Sequence, residues 1–216
     1  VPIITDISPQ QRKSDRFNVF IDGKFVFGLL EESVLRLELY VGKELTDAGL
    51  AYLQKELVYD KVLFKAYTLL SYRPRSISEL RTLLRERVPG ASSETVDAVL
   101  EYFIEKKYLD DTAFATWWVQ QRREVSSRFG AQRIRQELLR KGIAQEIIDA
   151  ALHESKEDVS EVENAVILGR KLFDRSRESD PYKHKQKILQ SLVRKGFSWE
   201  DAQEAYTRVL QEQATG

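Results

Sequence analysis

The sequence predicts a mainly α-helical chain: three tandem three-helix repeats forming an elongated curved array, preceded by a small N-terminal β-hairpin and short helix. Three observations predict it. Period-two alternation of apolar residues is confined to the first 45 residues, apolar residues recur at three- and four-residue spacing from Thr46 onward, and the helical stretch repeats itself at an offset of 54 residues. The division that follows is a hairpin and short helix over 1–45, then helical repeats over 46–109, 110–156 and 157–216.

The N-terminal element comes first. Alternation at Ile3, Thr5 and Ile7, then at Phe17, Val19 and Ile21, leads into Asp22-Gly23 and out through Phe25, Val26 and Phe27. Asp-Gly supplies the positive φ angles of a tight type I′ turn, and the flanking aromatic and β-branched residues suit a pleated surface. A two-residue turn places Phe20 opposite Phe25 and Val19 opposite Val26, so both faces carry apolar groups. The expected cover is the segment Glu31 to Leu39, whose Val34, Leu35, Leu37 and Leu39 form an apolar side before Gly42 breaks it.

The helices are then punctuated at Arg73-Pro74, Pro89-Gly90, Asp110-Asp111, Phe129-Gly130, Lys141-Gly142, Asp180-Pro181 and Lys195-Gly196, each carrying a helix breaker or an N-cap carboxylate. Arg140-Lys141-Gly142-Ile143 recurs as Arg194-Lys195-Gly196-Phe197, and the same offset relates Leu80, Ile134 and Ile188, and again Leu84, Leu138 and Leu192. Two apolar positions four apart, repeated three times, are the core stripe of each middle helix. The stretch Glu94 to Leu100 resembles Glu146 to Leu152, which supports a matching third helix, and long first helices are expected over roughly 58–72, 111–127 and 160–177. Because each repeat of such an array contacts mainly its neighbours, an elongated body is expected and not a sphere.

Composition bounds the chemistry. Zero cysteines exclude disulfides, thiolate metal sites and cysteine nucleophiles. Without an apolar run of membrane-spanning length, and with no signal peptide preceding Val1, the expected location is the cytoplasm. The two histidines, His153 and His184, fall in different repeats without partner spacing and read as surface residues. Phosphate-cradling, zinc-helix and nucleophile-elbow motifs are missing, so no catalysis, cofactor or metal is expected. In the pair Asp110-Asp111, Asp111 fits an N-cap. Of Trp117 and Trp118, which adjacency on a helix splays about 100° apart, one is expected in the core and the other is a candidate interface anchor. Ser198 is expected to cap the helix that Trp199 begins.

Charge is segregated along the chain although it sums to zero. Residues 122–141 carry a net +5, residues 170–195 a net +6, and residues 146–163 a net −6. The candidate binding residues are therefore Arg122, Arg123, Arg128, Arg133, Arg135, Arg140 and Lys141 in the second repeat, with Lys183, Lys185, Lys187, Arg194 and Lys195 in the third. The 54-residue offset matches Arg133 to Lys187, Arg140 to Arg194 and Lys141 to Lys195, which predicts a basic stripe recurring in register. In the first repeat Glu79, Glu86 and Arg87 stand at those positions, so two of the three signs reverse.

Taken together, these residues resemble the RecX family, regulators of the RecA recombinase. The resemblance is carried by Ser71, Tyr72, Arg73, Pro74, Arg75 and Ser76 followed by Glu79-Leu80; by Tyr108, Leu109, Asp110 and Asp111 followed by Phe114-Ala115 and Trp118; and by Ile134-Arg135 through Glu137-Leu138 into Lys141-Gly142-Ile143. It spans residues 58 to 210, and Asp22-Gly23 with Gly28-Leu29 resembles the N-terminal hairpin of longer members. The longer segment from Arg87 to Ser93 departs from the pattern. A monomer is expected, and what the resemblance implies is a cytoplasmic bacterial protein that binds the RecA filament on single-stranded DNA and lies in its groove. There it restrains ATP hydrolysis, strand exchange and filament growth, and so modulates recombinational repair and the SOS response. The family has no widely shared catalytic motif to carry over, so the binding residues rest on the charge map alone. Two other classes stay open: a direct single-stranded nucleic-acid binder, and a helical scaffold for another protein.

Overall fold

The computed structural model describes residues 1–11, 13–125, 129–158 and 160–215. It divides into two compact units, one of residues 1–75 and 80–109, the other of residues 76–79 and 110–216.

In the first unit the strands β1 (Ile4–Gln10), β2 (Lys13–Ile21) and β3 (Lys24–Leu30) form an antiparallel sheet in the order β1-β2-β3. The expected hairpin is the β2–β3 pair, and the alternating residues before it add a third strand. Asp22 and Gly23 turn the chain with φ of 48° and 77°. Phe20 faces Phe25 as the turn length requires, but Val19 faces Phe27 and not Val26. A bulge absorbs Val26, which is left exposed. The helix α1 (Glu31–Arg36) follows, with Leu37 and Leu39 just after it buried against Ile4, Val19, Ile21 and Leu29, while Leu35 is exposed.

Helix α2 (Asp47–Tyr72) begins well before the expected residue 58. Thr46 caps it by accepting from the Gly49 amide at 3.1 Å, and Leu50, Leu53 and Leu57 on its first half pack on the sheet core. Buried Asp60 ties helix to sheet: it accepts from the Leu30 amide at 2.9 Å and lies 3.7 Å from Arg16. Helices α3 (Ile77–Arg87) and α4 (Ser93–Glu105) complete the first repeat, with Leu80 and Leu84 fully buried.

In the second unit α5 (Asp111–Gln120) runs on as a π-helical turn over Gln121–Val125, followed by α6 (Ala131–Arg140) and α7 (Gln145–Asp158). Helices α8 (Glu161–Arg175), α9 (Pro181–Arg194) and α10 (Trp199–Thr215) form the third repeat. Each trio closes its own core. Ile134 and Leu138 are at the centre of one, with Phe114, Ile143 and Ile148, and Ile188 and Leu192 at the centre of the other, with Phe197 and Tyr206. The repeated stripe therefore occupies the same place in each middle helix.

The recurring Arg-Lys-Gly has a local cause. At both sites the glycine turns left-handed, φ 76° at Gly142 and 95° at Gly196, and the next amide bonds back to the leucine carbonyl one turn before the helix end. That is a Schellman termination, sealed by burying Ile143 or Phe197 beside that leucine. It also builds a joint between successive middle helices. Gly130 N–H donates to the Lys195 carbonyl at 2.9 Å and Gln132 N–H to the Gly196 carbonyl at 3.2 Å. Orphan amides at the start of α6 thus meet orphan carbonyls at the end of α9, the arrangement that helix termini and their dipoles favour. The end of α6 does the same with residues 76–79 of its own unit: Ser76 Oγ donates to the Lys141 carbonyl at 2.6 Å, and Lys141 Nζ reaches Glu79 Oε1 at 2.6 Å.

Candidate functional site

Helix α6 and the end of α9 enclose a cleft of about 280 Å³ lined by Gln132, Arg133, Gln136, Glu137, Arg140, Val193, Arg194 and Gly196. Positions 133, 136, 137 and 140 share one face of α6 because they are three and four residues apart. The Schellman end of α9 presents Arg194 to the same space.

The three arginines differ in how they are held. Arg133 pairs with Glu137 at 3.3 Å and stacks 4.3 Å from the Phe129 ring centre. Arg140 and Arg194 are exposed, and among the described residues neither has a carboxylate partner; Arg194 donates only to Ser191 Oγ, at 3.1 Å. Glu137 is the hub beneath them, accepting from Arg122 Nε at 2.7 Å and from Trp118 Nε1 at 3.1 Å. The cleft thus has a cationic rim, two amide side chains and a carboxylate already satisfied from below. An anion entering it meets guanidinium donors that surrender no internal ion pair at Arg140 or Arg194.

The remaining basic candidates are distributed unevenly. Arg123, on the π-helical turn, is buried, bonding to Glu161 and to the Ser155 carbonyl, while Glu161 also accepts from the Ala131 amide at 3.2 Å. Its charge serves the interior of the second unit and offers no surface. Arg122 is held by Glu137 and lies 4.4 Å from the Trp118 ring. Lys141 is half-buried between Glu79 and Trp118, whose ring centre is 4.1 Å away. Lys195 sits 4.6 Å from the Phe129 ring, and Arg135 pairs with Asp149, a hydrogen bond that holds this carboxyl below its ordinary range. Lys183, Lys185 and Lys187 are exposed along α9. Arg128 lies outside the described residues.

These placements explain the reversed sign in the first repeat. Position 79 must accept Lys141, so it is acidic; at the equivalent position 133 an arginine and Lys195 instead share the Phe129 ring.

Other sequence expectations resolve locally. Asp110 and not Asp111 caps α5, accepting from Thr112 at 2.7 Å, while Asp111, one residue inside the helix, accepts from the Ile77 amide at 2.9 Å. Ser198 caps α10 through the Asp201 amide at 3.0 Å. Trp118 stacks on Phe114 with ring centres 5.8 Å apart and Trp117 is half-buried beside them. His184 packs edge-on against Phe173. The lining residues Gln132, Gln136 and Val193 and the hub role of Glu137 were not anticipated from the sequence. Helical spacing from Arg140 was the available signal for Gln136 and Glu137, but a scan for charge passes over amides. Among the described residues no helix is long and apolar enough to cross a membrane.

Comparison with known proteins bears on this arrangement. The model of the regulatory protein RecX N-terminal domain matches residues 2–46, that of the RecX second three-helix domain residues 110–152, and that of the third three-helix domain residues 160–206. A curated relative named regulatory protein RecX, from Listeria innocua serovar 6a, is 35% identical over 204 residues, covering 94% of this chain and 74% of that protein. One of the same name from Bacillus licheniformis is 34% identical over 200 residues, covering 93% and 72%. A crystal structure of regulatory protein RecX superposes with a TM-score of 0.74 at 30% identity, covering 94% of this chain and 98% of the other. That of RecX from Lactobacillus salivarius gives 0.61 at 25% identity, over 70% and 96%.

Proposed function

The chain belongs to the RecX family of regulatory proteins, and on that premise we propose that it binds the RecA recombinase filament on single-stranded DNA. Bound there, it restrains ATP hydrolysis, strand exchange and filament growth, and so modulates recombinational repair and the SOS response. It acts by binding, as a cytoplasmic monomer, and performs no chemistry of its own.

The observation that carries this reading is the cleft where Arg133, Arg140 and Arg194, from two successive repeats, converge. A nucleoprotein filament presents phosphates and carboxylates together, and guanidinium groups recognise both. Arg140 and Arg194 are the contacts of choice because among the described residues no carboxylate competes for them, whereas Arg122, Arg123 and Lys141 are already engaged.

The test is binding of the Arg140→Glu, Arg194→Glu double variant to RecA assembled on single strands, at two salt concentrations. The expected result is weaker binding with a flatter salt dependence, by roughly 1.4 in the log–log slope if both arginines meet phosphates. Helicity is unchanged, and reversing the exposed Arg85 and Arg87 of the first repeat matters less. Equal losses for the two sets would overturn the assignment. A second reading, direct binding of single strands, is favoured by the same two exposed arginines; it prevails if bare strands are bound as tightly and with the same slope as RecA-coated ones.

A further inference from the structure

The first unit contains a concavity of opposite character. Leu30 ends β3 and precedes α1, which places Glu31 and Glu32 in the first helical turn; Tyr67 and Ser71, four apart, share a face of α2. With Asp15 of β2 they line a pocket of about 420 Å³. Glu32 Oε2 accepts from the Tyr102 hydroxyl at 2.7 Å and from the Tyr67 hydroxyl at 3.4 Å. Glu32 Oε1 is buried and accepts no hydrogen bond among the described residues. No described cation pairs with Asp15, Glu31 or Glu32.

Glu32 is half-buried while Asp15 and Glu31 are exposed, and a carboxylate that neutral donors satisfy on one oxygen only is under-compensated. Burial, with the Glu32 charge adding to it, pushes the Tyr67 and Tyr102 phenols above their ordinary range, so both stay protonated donors. That selects the occupant. An anion is repelled, and a wholly apolar group would strip water from three carboxylates without replacing it. A hard divalent metal needs several converging oxygens, but the two tyrosine hydroxyls donate toward Glu32 and supply no ligand. A cation on an apolar stem fits on every count: the stem lies along Leu30 and the Tyr67 ring, and the charge meets the carboxylates.

We infer that this pocket is a socket for an arginine or lysine side chain presented by a protein partner. The socket is independent of the α6–α9 cleft, so the molecule carries an anion-seeking site in one unit and a cation-seeking site in the other.

The test uses the full chain, labelled with ¹⁵N, titrated with the blocked tripeptides acetyl-Gly-Arg-Gly-amide and acetyl-Gly-Lys-Gly-amide, and with the citrulline analogue as the uncharged isostere. The expected result is saturable shifts confined to residues 30–32, 67 and 71 with at least one charged peptide and none with the citrulline peptide. Glu32→Gln keeps an acceptor for both tyrosines, and Glu31→Gln is an exposed change. Each should weaken binding, Glu32→Gln about tenfold, whereas Glu86→Gln, exposed on α3, should not. Equal shifts with the citrulline peptide, unsaturable shifts, or full binding by both Glu31→Gln and Glu32→Gln would overturn the proposal.

Discussion

Replacing Gly130 by alanine probes the joint between the second and third repeats. Gly130 has an ordinary backbone conformation, φ −70° and ψ 160°, so alanine meets no torsional obstacle there. The obstacle is space: a Cβ at this position would lie 2.3 Å from both the carbonyl carbon and oxygen of Gly196 and 2.4 Å from the Phe197 nitrogen. Those atoms are backbone, and no flexible side chain can swing aside. Relief requires the end of α9 to draw back from the start of α6, which breaks the hydrogen bonds from Gly130 to Lys195 and from Gln132 to Gly196. Overpacking contributes about 1–3 kcal/mol and each of the two lost bonds about 0.5–1.5 kcal/mol, so the expected loss is about 2–6 kcal/mol. Urea denaturation followed by circular dichroism measures it, and hydrogen exchange at the Gly130 and Gln132 amides localises it. The control is Gly169→Ala on α8, where a Cβ meets Val209 Cγ2 at an ordinary 3.5 Å; helix propensity there favours alanine by up to about 1 kcal/mol. Gly130→Ala within about 0.5 kcal/mol of the parent, with both amides still protected, would refute the reasoning.

Leu84→Ala, Leu138→Ala and Leu192→Ala remove fully buried side chains from one repeated position and should each destabilise by about 2–5 kcal/mol in the same denaturation assay; near-neutral effects at two of them would dissolve the repeat alignment. Hydrogen bonds from Arg135 and Arg170 hold the Asp149 and Glu212 carboxyls below their ordinary values. A carboxyl with a depressed folded-state pKa contributes stability fully above its unfolded value and loses it as pH falls through the folded one. The Asp149→Asn, Glu212→Gln variant should therefore show a shallower acid limb in stability against pH, and an unchanged limb would show that these exposed pairs contribute nothing.

The helical pattern was legible where burial alone dictates residue type. Leu84, Leu138 and Leu192 announce themselves by spacing because a core tolerates little else. The start of α2 was hidden because its first turns bury only one narrow stripe, Leu50, Leu53 and Leu57, against the sheet and carry Gly49 within the first turn. The bulge at Val26 was unreadable because slipping the register by one residue keeps an apolar residue opposite Val19 either way. Basic positions were legible as a charge map but not as roles. Lys141 and Arg123 carry the same charge as Arg140, yet one is part of a helix joint and one lies in the interior. Only the positions of Glu79 and Glu161 separate them, and those partners are distant in sequence.

RecA-dependent ATP hydrolysis on single-stranded DNA, measured with and without the protein, decides whether the chain restrains the filament. On this reading hydrolysis falls as the protein is added, the protein alone hydrolyses nothing, and the Arg140→Glu, Arg194→Glu variant requires higher concentrations for the same effect. Unchanged hydrolysis at concentrations that saturate binding, or ATPase activity intrinsic to the purified chain, would contradict it.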